Sequence, residues 1–210
     1  MAKLSDFGQY LSPKTVKTFS SPFNEKIEVV TFSGSLRLDI NDLTQSGTVI
    51  EKIWSKAFKD LLPSDFQPKN ILVLGLAGGS VLKPINKNWP QAKVTAVEID
   101  PLIIKIAKKY FDVKPSSKLK IVNQDAIDYV NNFKKHFDLC LVDCYLGDQF
   151  PSALETIELY KKLKNNCSHV LVNRIFWGKY QEPALDFKEK LSKHFSVSST
   201  RTTSNLLLGL

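Results

Sequence analysis

Three acidic residues, Glu98, Asp125 and Asp143, each lie at or just after the end of a short apolar run of the kind that forms buried strands. A carboxylate can accept hydrogen bonds from ribose hydroxyls or from an exocyclic amine, and one beside a reacting amine can take its proton. In open α/β sheets, ligands lie beyond the carboxyl ends of the strands. The three acids together therefore predict a nucleoside site with a reacting end.

A glycine-rich turn precedes these acids and contains Gly75, Ala77, Gly78 and Gly79. Glycine lets the backbone approach a ligand closely, and a helix that follows offers unpaired N–H groups. The dinucleotide pattern G-x-G-x-x-G requires glycine at positions 75, 77 and 80, but Ala77 and Ser80 occupy two of them. The turn therefore favours a nucleoside over a nicotinamide cofactor, and a dehydrogenase ranks fourth among the functions we consider.

The position of each acid suggests its role. Glu98 follows Gly75 by roughly 20 residues, where a ribose-binding carboxylate is expected, and we predict that it accepts hydrogen bonds from both ribose hydroxyls. Asp125 could cap the next helix, accept the amine of an adenine, or do both. Asp143 follows the fourth strand of the series, so we predict that it faces the reacting end of the ligand.

The scaffold for these residues is an alternation of strand and helix patterns from Asn70 onwards. Strands are predicted at 71–74, 94–97, 119–122, 137–142 and 170–172, and helices begin near residues 80, 101, 125, 152 and 181. This alternation predicts an α/β fold with a mostly parallel sheet that is covered by helices on both faces. The runs 194–199 and 204–208 predict an antiparallel hairpin at the edge of the sheet.

The N-terminal part of the chain has a different pattern. Residues 26–40 alternate apolar and polar side chains around a turn at Ser33 and Gly34, which predicts a β-hairpin. A polar break at 44–47 precedes an amphipathic helix over 49–62, and Trp54 lies on its apolar face as a predicted core residue. We divide the chain into a short β-hairpin segment, 1–47, and a nucleoside-binding domain, 48–210.

Composition narrows the range of functions. The 210 residues are 43% hydrophobic and 24% charged, as in ordinary globular proteins. No apolar run reaches the roughly 20 residues that span a bilayer, and the first residues lack the apolar segment of a secretory signal, so we expect a cytoplasmic protein with no membrane partner. The net charge of +8 comes almost entirely from dispersed lysines, which predicts no specific nucleic-acid partner.

Two further patterns are not assigned a function. Tyr160 and Lys164 have the Tyr-x-x-x-Lys spacing of short-chain dehydrogenases, but they lie in a lysine-rich amphipathic pattern that we interpret as a solvated helix face. Cys140, Cys144 and Cys167 form no Cys-x-x-Cys pair, and the histidines are widely separated. Neither a disulfide nor a metal site is predicted.

Taken together, the motifs resemble those of the spermidine synthase family. Residues 36–45 resemble its segment ending in a glutamine that contacts the nucleoside, 73–79 its glycine loop, 97–100 its ribose-binding strand end, and 124–126 its adenine-side acid. The resemblance implies a Rossmann-like class I methyltransferase fold with a seven-stranded sheet. The nucleoside-binding residues that it implies are Gln45, Gly75, Ala77, Gly78, Gly79, Glu98, Asp125 and Ala126.

The segment 143–148 resembles the family loop that carries the catalytic aspartate. The resemblance implies that Asp143 is catalytic and helps to deprotonate an attacking amine beside a sulfonium donor. Tyr145 and Asp148 become candidates for contact with the substrate. The implied donor is S-adenosylmethionine or its decarboxylated form, without a metal, and the implied partner is a small acceptor, for which an amine is one candidate.

Three differences from the family pattern bear on the reaction. Ala77 replaces an aspartate of the glycine loop, residues 49–54 replace a Tyr-His-Glu segment, and Asp143 and Asp148 are five residues apart rather than in a tighter Asp-x-x-Asp-Pro pattern. These three differences favour transfer of an alkyl group, most simply methyl. True polyamine aminopropyl transfer and a noncatalytic nucleoside-binding or assembly module stay as alternatives.

We also predict a homodimer, paired through the strand edges of the N-terminal hairpin.

Overall fold

The computed structural model describes residues 12–210, which begin with a small antiparallel sheet of four strands. Its strands are β1 (Lys14–Phe19), β2 (Ile27–Phe32), β3 (Ser35–Ile40) and β4 (Leu43–Ser46), in that order across the sheet. The predicted hairpin is present as β2 and β3. The prediction of a polar break at 44–47 is wrong for residues 44–46. These residues belong to β4, and Ser46 pairs with Leu38 of β3.

The second sheet has seven strands in the order β10-β11-β9-β8-β5-β6-β7. Its strands are β5 (Asn70–Leu74), β6 (Lys93–Glu98), β7 (Leu119–Asn123), β8 (Phe137–Val142), β9 (Cys167–Ile175), β10 (Ser198–Arg201) and β11 (Asn205–Gly209). Strands β5 to β9 are parallel, whereas β11 and β10 form an antiparallel edge. The predicted seven-stranded, mostly parallel sheet is confirmed.

The C-terminal hairpin begins later than the sequence pattern indicates. Residues 194–197 are not a strand, because the backbone N–H groups of His194 and Phe195 donate to the carbonyl of Leu191 and complete the preceding helix. The strand then starts at Ser198 and includes Arg201, which the sequence pattern had placed in the turn.

Helices cover both faces of the large sheet. They are α1 (Thr48–Leu61), α2 (Leu82–Asn88), α3 (Pro101–Tyr110), α4 (Ala126–Asn132), α5 (Ile157–Asn166) and α6 (Gln181–Ser192), with short 3₁₀ turns at Ser152–Glu155 and Gly178–Tyr180. Alternate side chains of β5 enter different cores: Ile71 and Val73 pack with α1 and α2, whereas Leu72 and Leu74 pack with α5 and α6.

The helix α5 has a buried face that contradicts one prediction. Tyr160 is fully buried with Leu163 on the side of α5 that meets the sheet, whereas Lys161 and Lys162 are exposed. The interpretation of this segment as a solvated face therefore holds for Lys161 and Lys162 but is wrong for Tyr160, and Lys164 is half-buried. The helical period explains the difference, since residues three apart share a face.

The small sheet packs on the helix α3 through a third apolar cluster. Ile27 and Leu38 of the sheet contact this cluster together with Ile103 and Ile106 of α3. The small sheet consequently lies beside the carboxyl-terminal edge of the large sheet, where α3 begins. Among residues 12–210, no helix combines the length and the apolar character that crossing a membrane requires.

Candidate active site

A cavity, here called the first cavity, opens beyond the carboxyl ends of β5, β6, β7 and β8, where the sequence predicted a ligand. The predicted site residues that line it are Gln45, Gly75, Ala77, Glu98, Asp125, Ala126, Asp143 and Tyr145. Apolar side chains, among them Ile99, Ile103, Ile127 and Leu154, complete its walls. The structure thus brings together residues that are as far apart in sequence as Gln45 and Asp143.

The glycine turn approaches the backbone that leads into Asp143. Gly75 has φ +89°, and a Cβ atom there would collide with the carbonyl oxygen of Asp143. The N–H of Gly75 donates to the carbonyl of Val97 at 2.9 Å, which joins the turn to β6. Only glycine fits this position. The turn brings Ala77, at φ +45°, to the wall of the first cavity.

Gly78 and Gly79 do not line the first cavity. The N–H of Gly78 donates to Ser46 Oγ at 2.7 Å, and a Cβ atom on Gly79 would meet the side chain of Val113. In the same region, Ser80 Oγ accepts from the N–H of Gly47 at 2.7 Å. These glycines therefore connect the turn to neighbouring elements, and the ligand contact predicted for them stays a prediction.

Glu98 holds the glycine turn in place. Its Oε2 accepts from the N–H groups of Leu76 at 3.1 Å and Ala77 at 3.2 Å, and its Oε1 accepts from Asp100 N–H at 3.0 Å. Burial raises the pKa of Glu98, and these hydrogen bonds oppose that rise. A carboxylate offers about four acceptor positions. With three already used, this geometry leaves room for about one ribose hydroxyl rather than the two predicted.

Asp125 is the N-cap of α4, one of the two roles considered for it. Its Oδ1 accepts from the N–H of Ile127 at 2.7 Å and of Asp128 at 3.0 Å. Within residues 12–210, Oδ2 makes no side-chain hydrogen bond, so that oxygen stays available to an amine in the first cavity. Ala126 follows at the first position of α4 and also lines this cavity.

Asp143 is held by two donors from distant parts of the chain. Trp54 Nε1 donates to Oδ2 at 3.0 Å, and Asn173 Nδ2 donates to Oδ1 at 2.8 Å. Burial raises the pKa of Asp143 to about 6, although both hydrogen bonds act to lower it. Trp54 is fully buried, as predicted for a core residue, but its indole N–H also orients the predicted catalytic acid.

A second cavity lies beside the first and shares Gln45, Asp143 and Tyr145 with it. Its other lining residues are Leu43, Thr44, Val49, Ile50, Ile53, Asn173, Ile175, Trp177, Ser204 and Asn205. Asp143 therefore lies where the two cavities meet. The amides of Asn173 and Asn205 were not among the site residues predicted from the sequence.

Tyr145 and Asp148, the two candidates for substrate contact, differ in position. The hydroxyl of Tyr145 donates to the carbonyl of Asn173 at 3.1 Å and accepts from the N–H of Ile175 at 2.8 Å. Burial raises the pKa of this phenol, so it stays neutral. Tyr145 therefore helps to fix the wall between the first and second cavities.

Asp148 lines neither the first nor the second cavity. Its Oδ2 accepts from the Tyr180 hydroxyl at 2.6 Å and pairs with Lys179 Nζ at 3.1 Å, which lowers its pKa. It lines a third cavity, together with Arg174 and Glu155. The structure thus separates Asp148 from Asp143, and the predicted substrate contact of Asp148 would have to occur in that third cavity. Within residues 12–210, no cluster of His, Cys, Asp or Glu could hold a metal ion.

Comparison with curated proteins gives partial matches. A polyamine aminopropyltransferase from Chromobacterium violaceum is 32% identical over 143 residues, which are 68% of this chain and 55% of that protein. An eEF1A lysine and N-terminal methyltransferase homolog from Drosophila melanogaster is 38% identical over 78 residues, 36% of this chain and 12% of that protein. The chain thus spans about half the length, or less, of these two relatives.

Comparison with solved structures supports the fold. Spermidine synthase from Thermotoga maritima superposes with a TM-score of 0.74 and 17% identity, over 93% of this chain and 72% of that one. Human methyltransferase-like protein 13 in complex with SAH gives a TM-score of 0.58 and 20% identity, over 76% and 78% of the two chains. The family model of the spermine/spermidine synthase domain matches residues 51–197. Because this match covers more than half of the sequence, the chain belongs to the spermine/spermidine synthase family.

Proposed function

We propose that this protein is a transferase that uses an S-adenosyl-type sulfonium donor and passes an alkyl group, most simply methyl, to a small acceptor. The observation that carries the proposal is the position of Asp143, which lines both the first and the second cavity. The donor nucleoside would occupy the first cavity and the acceptor the second. The human neighbour solved with SAH supports this choice of donor.

The first cavity has the chemistry that a nucleoside needs. Glu98 presents a carboxylate with about one free acceptor position to the ribose, and Asp125 Oδ2 can accept from an exocyclic amine. The side chains of Ile103, Ile127 and Leu154 offer apolar contact surfaces for a base.

Asp143 would act as the general base. When the ammonium form of the acceptor loses a proton to Asp143, the nitrogen lone pair is freed and can attack the carbon bound to the donor sulfonium. The new N–C bond forms as the C–S bond breaks, and the sulfur keeps that electron pair as a neutral thioether. Asp143 then releases the proton to solvent. A carboxylate with a pKa of about 6 is mostly ionised at neutral pH, as a base must be.

Two observations bear on which group is transferred. Ala77 supplies only a methyl group to the first cavity, so position 77 offers no carboxylate to hold an aminopropyl ammonium, which favours methyl transfer. Aminopropyl transfer is the second candidate. Among the described residues that line the first cavity, none is Lys, Arg or His, so the carboxylate of S-adenosylmethionine lacks a cationic side chain, and the decarboxylated donor needs none.

The test is a comparison of donors. Calorimetry should detect binding of S-adenosylhomocysteine or methylthioadenosine, and failure of both nucleosides to bind would end the proposal. Mass spectrometry of incubations with each donor and a panel of small amines then identifies the transferred group. Asp143→Asn is expected to keep nucleoside affinity within about threefold and to lower turnover by about 10²-fold or more. Absence of any product from the unaltered protein would favour the noncatalytic nucleoside-binding module.

We also propose that the protein is cytoplasmic and works without a metal. A homodimer would have to form through a different surface from the predicted one, because both edges of β2 and β3 are already paired within the small sheet. The edge strands are β1 and β4, and β1 carries Lys14 and Lys17, which disfavour edge-to-edge pairing. Analytical ultracentrifugation at two protein concentrations tests the predicted dimer.

A further inference from the structure

We propose that the acceptor is a monoamine with an apolar body, and that linear diamines and polyamines are poor acceptors. This inference rests on the proposed function, since it takes the second cavity as the acceptor site. It is carried by the distribution of charge around that cavity, by the use of the neighbouring carboxylates, and by the apolar character of the walls.

Among residues 12–210, a single ionised group lines the second cavity. Of the described residues that line it, Asp143 alone carries a charge, and Tyr145 stays neutral. One ammonium can therefore pair with one carboxylate. A diamine would bring a second ammonium into the same space, and burying a charge without a partner costs free energy.

Two carboxylates of the third cavity, Asp148 and Glu155, are already paired with cations. Asp148 pairs with Lys179 at 3.1 Å and accepts from Tyr180 at 2.6 Å. Glu155 pairs with Arg174 at 2.6 Å. Both acids line the third cavity rather than the second. A second ammonium would have to break one of these pairs, so neither acid is a ready partner.

Two side-chain amides of the second cavity, those of Asn173 and Asn205, are also in use, and a third, that of Gln45, donates from Nε2 to the carbonyl of Gly147. Asn173 donates to Asp143 and accepts from Asn205 Nδ2 at 2.8 Å. The side-chain oxygen of Asn205 in turn accepts from Ser204 Oγ at 2.6 Å. These groups form one hydrogen-bonded series that ends on Asp143. They orient the carboxylate and have little remaining capacity to replace the water around a second ammonium.

Apart from Thr44 and Gln45, the remaining lining side chains are apolar, both in the interior and at the exposed side of the cavity. Ile50 and Ile53 of α1 are buried, whereas Val49 is 55% exposed and Trp177 is 46% exposed. An apolar body that extends from Asp143 towards the mouth would cover both exposed side chains. Covering these side chains removes apolar surface from water, which is favourable in free energy. The far end of a linear diamine carries an ammonium and cannot provide this contribution.

A matched pair of ligands tests the inference. With the protein saturated by methylthioadenosine or S-adenosylhomocysteine, calorimetry should show pentylamine binding at least tenfold more tightly than 1,5-diaminopentane, which differs by one terminal ammonium. Equal or reversed affinities overturn the inference. If neither amine binds while the nucleoside does, the acceptor inference fails alone. If neither nucleoside binds, the proposed function itself fails.

A pair of variants at the mouth provides the second test. Val49→Glu places a carboxylate at an exposed position in the first turn of α1, where an acid is compatible with the helix. It should move the preference towards 1,5-diaminopentane by at least tenfold, whereas Val49→Gln should not. An unchanged preference in Val49→Glu would show that a missing carboxylate is not what excludes the diamine, and would overturn the inference.

Discussion

At the scale of single residues, the ionisation of Asp143 results from two opposed effects. Removal from water favours the neutral acid, and the N–H donors of Trp54 and Asn173 favour the carboxylate. Burial has the larger effect and gives a pKa of about 6. If Asp143 is the base, kcat/KM should fall below about pH 6 as the carboxylate is protonated. The pH dependence of turnover therefore reports on these two hydrogen bonds.

We predict that Trp54→Phe moves this acid limb to higher pH. Loss of the indole N–H removes a donor that stabilises the charged form, so the pKa of Asp143 should rise from about 6 to about 7. The measurement is a pH profile of kcat/KM. Trp89→Phe is the matched control, because Trp89 is a buried tryptophan of the same core whose Nε1 donates to the carbonyl of Phe66 at 3.0 Å. An equal shift in both variants would contradict the assignment.

A second residue-scale prediction concerns Ala77. Its φ of +45° is a conformation that Asp and Asn adopt more readily than most residues, so Ala77→Asp should be tolerated. The new carboxylate should bind the ammonium of decarboxylated S-adenosylmethionine and raise its affinity about tenfold relative to S-adenosylhomocysteine.

Ala77→Asn separates charge from shape in this experiment. It places a neutral group of similar size at the same position and should leave the ratio of the two affinities nearly unchanged. A ratio that changes equally in Ala77→Asp and Ala77→Asn would mean that the aminopropyl ammonium does not reach this position.

The sequence placed Glu98, Asp125 and Asp143 at one site, because strand ends can be recognised from short apolar runs. It could not place Asn173 or Trp54 beside Asp143, since these contacts span 30 and 89 residues and depend on how the helix α1 crosses the sheet. One signal was available, because a buried tryptophan N–H usually has an acceptor. The sequence could not show that Asp148 lines a different cavity from Asp143, since its position follows from loop geometry.

At the scale of elements, β4 and the glycine turn are joined by reciprocal hydrogen bonds. Ser46 accepts from Gly78 N–H, and Ser80 accepts from Gly47 N–H. A Cβ atom on Gly78 would lie 2.7 Å from Ser46 Oγ. We predict that Gly78→Ala lowers the free energy of unfolding by about 1–3 kcal/mol through overpacking, measured by urea denaturation.

A double-mutant cycle tests the cause of that loss. Ser46→Gly removes both the hydroxyl and the Cβ atom, so it should create room for the new methyl group of Gly78→Ala. The double variant should be less destabilised than the sum of the two single variants. Additive losses would show that the Ser46 contact is not the source of the strain.

The strands β1 and β4, which were not predicted from the sequence, lack a clear alternation of apolar and polar residues. Every residue of β1 except Phe19 is exposed, so no apolar face marks it as a strand. The strand β4 has four residues and is largely polar. Both are strands because β2 and β3 offer them hydrogen-bonding edges. The strands of the large sheet were recognised because burial on both faces requires continuous apolar runs.

At the scale of the whole molecule, the small sheet is part of the site. It contributes Ile40 and Gln45 to the first cavity, and Gln45 Nε2 donates to the carbonyl of Gly147 at 3.1 Å. Asn24, which precedes β2, accepts from the N–H of Gly147 at 3.3 Å. The loop that carries Asp143 is therefore held from the N-terminal side, and the division into segments 1–47 and 48–210 stays a prediction about folding units.

We predict that residues 48–210 alone do not form a competent site. Without the small sheet, Ile103 and Ile106 of α3, now 1% and 2% exposed, would face water, at a cost of about 1.5–3 kcal/mol for each side chain. The first cavity would also lose Ile40 and Gln45. The truncated chain should bind methylthioadenosine at least tenfold more weakly than the full chain and should self-associate in sedimentation experiments.

A full-length variant separates loss of the site from loss of the fold. Gln45→Ala leaves the apolar contacts of the small sheet with α3 intact but removes the hydrogen bond to Gly147. It should stay monodisperse like the full chain and lose about 0.5–1.5 kcal/mol of nucleoside-binding free energy, since the loop that carries Asp143 becomes less restrained. If residues 48–210 bound the nucleoside as tightly as the full chain, the small sheet would be an independent segment, and the large sheet alone would define the site.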